Sequence, residues 1–156
     1  MKINFTKKEY RLLVDLLEMA DWVLTSHDAT EQPDKKPYHD LIQKIYANSK
    51  EMACDDILEF VPEVNQYFVT LEYDEESLCR QHIDKFEDNV FWDKLSFYLS
   101  ERDLLVQEGE EKLLSMDPME RSEKLFELQD WYESEFYEHG LENIKVVNIK
   151  HNAQSH

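Results

Sequence analysis

Glycine is almost missing from this chain: Gly109 and Gly140 are the only two among 156 residues, and proline appears four times. Two isolated glycines cannot build the loop that cradles phosphates, which excludes a P-loop or a Rossmann-type nucleotide site. They also leave few tight hairpins, so long helices are the expected building blocks. Cysteine is equally sparse. Cys54 and Cys79 alone supply neither a disulfide framework nor a paired-cysteine zinc site. With no apolar leader after Met1, the expected setting is a reducing cytoplasm with both thiols free. No apolar run approaches the roughly 20 residues that span a bilayer, so no membrane insertion is expected. The serine elbow, the H-E-x-x-H helix and the calcium loop are missing too, and no cofactor is implied.

Positive charge is scarce beyond the first third. Residues 1–50 hold eight Lys/Arg and eight Asp/Glu, whereas residues 51–143 hold seven against 27, a net of −20. With Lys145 and Lys150 the whole chain stands at −18. Direct binding to nucleic acid or to an anionic membrane needs Lys/Arg to neutralise phosphates, so neither partner is expected. The aromatic pairs Phe91-Trp92, Phe97-Tyr98 and Trp131-Tyr132 lack interleaved Lys or Arg, which argues against a single-strand nucleic-acid platform.

What is present suits a folded helical domain. Hydrophobic residues make up 42% and aromatics 12%, enough to fill a core without metals or disulfides. The expectation is all-α: a single helical domain over residues 1–150, a bundle of about five helices, with a disordered tail at 151–156.

Thr6-Lys7-Lys8-Glu9 is a capping box that opens the first helix. Two apolar stripes follow, Tyr10/Leu13/Leu17/Ala20/Leu24 and Leu12/Leu16/Met19/Val23, and predict a helix buried on much of its circumference, ending near Ser26. Pro37 opens a second helix with Tyr38, Leu41, Ile42, Ile45, Tyr46, Ser49 and Met52 on one stripe, antiparallel to the first. Residues 54–73, interrupted by Pro62, fit irregular structure with a short helix, or less well a strand at Phe68–Leu71. A third helix opens at Asp74 or Glu75, with Leu78, Cys79, His82, Ile83 and Phe86 facing inward. Asp88 or Asn89 caps a fourth, burying Phe91, Trp92, Leu95, Tyr98, Leu99 and Leu105 or Val106, and Gly109 stops it. Leu113, Leu114 and Met116 suggest a short turn. Asp117-Pro118-Met119-Glu120 starts a last helix carrying Leu125, Leu128, Tyr132 and Phe136, closed by His139-Gly140. Ile144–Ile149 is β-branched and reads as a strand, expected to pair with Lys2–Phe5 as a minor β element of the N- and C-terminal segments.

Two constellations carry candidate chemistry. His27-Asp28 and His39-Asp40 lie at the two ends of the first loop, where an antiparallel helix pair would bring them together. Two imidazoles and two carboxylates are a donor set for a divalent metal, and a small metal-dependent hydrolase or lyase, with His82 as a further donor, is the alternative function. Cys79-x-x-His82 places a thiol and an imidazole one helical turn apart, but lacks an orienting third group. The second constellation is the acid excess itself. Glu108, Glu110, Glu111, Glu133, Glu135 and Glu138 are the candidate partner-binding residues, and the matching ligand is a basic protein. A special case is a DNA mimic, with carboxylates imitating phosphates. A homodimer formed through the terminal strand or surplus aromatics is a further expectation. The leading function is a protein-interaction or regulatory module.

Overall fold

The computed structural model describes residues 3–30 and 32–145. Among these the chain is all-α with one small sheet: six helices and a two-stranded hairpin. No helix of the described residues is long and apolar enough to cross a membrane. The chain divides into two compact units, Met1–Glu87 and Asp88–His156.

Unit 1 begins with α1 (Lys7–Thr25). Its capping box forms as the sequence implies: Thr6 Oγ1 accepts from Glu9 N–H, and Glu9 accepts from Thr6 N–H at 2.8 Å, so two otherwise unpaired donors are satisfied. Helix α2 (Lys36–Tyr46) follows, with Pro37 in its first turn. Tyr10 near the start of α1 donates to Ile45 O near the end of α2, at 2.7 Å. Lys35 donates to Leu24 O at the other end, so the two helices run antiparallel. Helix α2 stops at Tyr46, before the Ser49 and Met52 turns assigned to it by periodicity. Ser49 is nonetheless buried, and its carbonyl accepts from Cys54 N–H at 2.8 Å.

The segment without a clear pattern is the hairpin. Strand β1 (Leu58–Val61) pairs antiparallel with β2 (Gln66–Val69), Leu58 opposite Val69 and Phe60 opposite Tyr67. Its loop has no glycine. Asn65 takes the positive φ of +56°, which asparagine tolerates better than most residues. The Gln43 side chain binds both the N–H and the C=O of Tyr67, at 2.7 and 2.9 Å, tying α2 to β2. Among the described residues the β element is therefore internal. Ile3–Phe5 form no strand, Ile144 and Lys145 form none either, and Val146–Ile149 and the 151–156 tail lie outside the described residues.

The core of unit 1 is Tyr10, Val14, Ile42, Tyr46, Cys54, Ile57 and Leu58. Only one of the two α1 stripes faces it. Leu12 and Leu16 are 61% exposed and Val23 71%, so the second stripe is an outward face. Tyr38 and Leu41 are also exposed, and the buried line of α2 narrows to Ile42 and Tyr46.

Helix α3 (Leu71–Glu76), capped by Thr70, leads directly into α4 (Leu78–Glu108). Helix α4 runs unbroken through Asp88 and Asn89, because neither residue removes a backbone hydrogen bond as proline would. Cys79 and Ile83 are buried, whereas His82 and Phe86 face solvent.

In unit 2, α4 buries Ser96, Ser100 and Leu104, while Leu105 and Val106 are exposed. Gly109, at φ +78°, separates α4 from α5 (Glu110–Ser115). Helix α6 (Pro118–His139) starts at the Asp117 cap, whose carboxylate accepts from Met119 N–H at 2.9 Å. It buries Tyr132 and Phe136. Phe136 lies 5.4 Å from the Trp92 ring and 5.6 Å from that of Tyr132.

Candidate functional site

The acid excess does not single out one unit. Residues 1–87 hold 19 Asp/Glu and ten Lys/Arg, and residues 88–156 hold 16 and seven, so each nets −9. What differs is how those charges are used. In unit 1, Arg11 pairs with Asp56, Lys35 with Asp28, Lys36 with Asp40 and Arg80 with Asp74. In unit 2 the pairing concentrates on a few acids. Glu108 takes both Lys112 and Lys124, whose hydrogen bonds hold its carboxyl below the usual range. Arg102 binds Asp103, which also accepts from the Tyr132 hydroxyl.

Helix α6 places its acids by periodicity. With Leu125, Leu128, Tyr132 and Phe136 turned inward, Glu123, Glu127 and Asp130 fall on the opposite face at spacings of four and three. All three are exposed and carry no ion pair among the described residues. Lys124 is half-buried and turned toward Glu108. Large apolar rings lie beside this acidic stripe: Phe126 is 61% exposed, Trp131 58% and Tyr137 93%.

The six acids singled out from the sequence are used unequally. Glu108 is occupied by its two lysines. Glu110 and Glu111 are exposed in the first turn of α5, where the helix dipole favours acids. Glu133 is exposed and accepts from Gln129 at 2.9 Å. Glu135 is half-buried and accepts from Asn143. Glu138 is exposed, 3.7 Å from His139 Nε2. The sequence reasoning passed over Glu123, Glu127 and Asp130, although the helical wheel of the same stretch puts them opposite its apolar stripe.

The metal candidates do not converge. Asp28 binds Lys35 Nζ at 2.6 Å and Asp40 binds Lys36 at 2.8 Å. Asp28 and His39 line one cleft of about 410 Å³ with Asp21, Lys35, Lys36 and Gln66, but His27 and Asp40 are not part of it. Among the described residues no group of three or more His, Cys, Asp or Glu side chains is placed to hold a metal ion. His82 is exposed while Cys79 is buried, so the pair does not act as one unit.

A further cluster in unit 1 had no sequence signal. Tyr46 donates to Glu18 and Tyr73 to Asp15, across separations of 28 and 58 residues. Arg80 lies 4.3 Å over the Trp22 ring and donates from Nε to Asp74 O at 3.1 Å. Of these groups, Glu18, Trp22, Tyr73, Asp74 and Arg80 line a cleft of about 150 Å³ that also takes in Cys79. Burial pushes the Glu18 carboxyl up, and it pushes the Cys79 thiol up to about 11. A protonated thiol is a poor nucleophile, and the carboxylates here already have phenol or guanidinium partners, so the cluster is a hydrogen-bonded support for the α1–α4 packing. No known family model, curated protein or solved structure matches the chain.

Proposed function

We propose that the protein is a cytoplasmic binding module for a basic protein partner, engaged through the outward face of α6. The observation that carries this is the exposed row Glu123, Glu127 and Asp130, with no ion pair among the described residues, flanked by Phe126, Trp131 and Tyr137. Exposed carboxylates steer a cationic surface toward the site and fix its register. Exposed aromatic rings supply the apolar anchor that charge alone lacks, and such rings dominate binding energy at many interfaces. The partner that fits is an amphipathic segment, with Lys or Arg bordering an apolar stripe.

The test compares two full-length variants that lose the same charge. E123Q/E127Q/D130N neutralises the α6 row, and E51Q/E59Q/E63Q neutralises three exposed acids of unit 1. The expected result is that proteins captured by the wild type are lost with the first variant, retained with the second, and released as salt shortens the screening length. Equal loss with both variants, or capture indifferent to salt, sinks the proposal.

A further inference from the structure

The outward face of α1 is as apolar as its buried one. Leu12, Leu16, Met19 and Val23 recur at spacings of four, three and four, the spacing of a helix-pairing seam. Leu12 and Leu16 are 61% exposed and Val23 71%, with Met19 half-buried between them. The stripe runs about 16 Å along the helix, at 1.5 Å per residue.

We infer that this stripe pairs with the same stripe of a second copy, α1 against α1 in antiparallel orientation. Three observations select that occupant. The spacing is self-complementary: reversed, Leu12 meets the copy's Val23 and Leu16 meets its Met19, the isologous arrangement of a two-fold dimer. The helix start favours the same arrangement: Lys7 and Lys8 are exposed in the first turn of α1, and antiparallel pairing keeps the lysine pairs of the two copies apart, where parallel pairing would set like charges side by side. The third observation is net charge. Two chains of −18 repel, and close approach is least unfavourable at residues 1–50, where acids and bases balance at eight each. The exposed rings of α6 are interleaved with acids and so disfavour self-contact. A single helix pair of this length falls below the ~800 Å² per partner of a standard interface, so the dimer is weak and concentration-dependent. It is independent of the α6 proposal, since it uses the other unit.

Sedimentation equilibrium on the full chain, from about 10 μM to about 1 mM, reads the pairing directly. The expected result is a mass that rises toward the dimer for the wild type and stays at the monomer for L16E, with unchanged far-UV circular dichroism. Orientation is read separately by cysteine cross-linking. L12C mixed with V23C should give a mixed disulfide many-fold faster than L12C gives with itself. The native Cys54 and Cys79 are buried and do not compete. A wild type that stays monomeric throughout, a dimer untouched by L16E, or L12C linking to itself as readily as to V23C overturns the inference.

Discussion

The hydroxyl of Tyr46, 2% exposed, donates its hydrogen bond to the Glu18 carboxylate across the α1–α2 packing. That contact keeps a charged group tolerable beside the core of unit 1. Its removal by Tyr46→Phe leaves Glu18 short of a donor, and the expected loss is about 1–3 kcal/mol, the range for a buried polar group deprived of its partner. Adding Glu18→Gln should return part of it. Urea titration of the two single variants and the double variant measures the coupling, and additive single effects would show the contact to be energetically idle.

Stability should respond to pH in opposite senses at two glutamates. Burial raises the Glu18 carboxyl above 4.5. Its favourable contribution is therefore complete below about 4.5 and fades as pH rises through the folded value. Glu108 is lowered by Lys112 and Lys124. Its contribution is present above about 4.5 and fades as pH falls through the folded value. Glu18→Gln is expected to gain on the wild type between about pH 5 and pH 7, and Glu108→Gln to lose to it above pH 5 and match it in strong acid. Melting temperatures across that range check both signs.

Two neighbouring positions on α1 should differ sharply. Val14 is fully buried and Leu16 is 61% exposed. Val14→Ala is expected to cost about 1–2 kcal/mol through the lost methyl contacts and the space left behind. Leu16→Ala should stay within about 0.5 kcal/mol, as surface substitutions do. Chemical denaturation at low protein concentration separates the two, and equal losses would mean that the outer stripe is covered in solution.

Zinc or manganese should leave the melting temperature where it is. Asp28 and Asp40 are each tied to a lysine, and only Asp28 and His39 of the four loop candidates share a cleft. A saturable upward shift on adding either ion would show a metal displacing Lys35, and would restore the hydrolase or lyase alternative.

Local signals were legible where they were chemical. Thr6 with Glu9, and Asp117 with Pro118, marked helix starts because capping needs those groups at those offsets. Gly109 and Gly140 marked ends because both take positive φ. Periodicity located the buried Tyr132 and Phe136, yet it could not tell which stripe of α1 is covered, since both repeat alike and only the packed neighbours decide. The hairpin at 58–69 escaped because its turn uses Asn65 in place of an asparagine–glycine pair. Asp88 and Asn89 read as the cap of a new helix, but these polar residues permit continuation as readily as a start. The Tyr46–Glu18 and Tyr73–Asp15 contacts join distant parts of the chain, so no local pattern announces them. The acid row on α6 was visible in principle, from the residues opposite its apolar stripe.

The burial of both thiols gives unit 1 an internal clock. Cys54 is fully sealed and Cys79 nearly so, and burial holds each in its unreactive protonated form. An alkylating reagent therefore reaches them only when the surrounding structure breathes. The rate at which each sulfur is labelled times opening at two separate places, the α2–β1 turn and the start of α4, without any engineered probe.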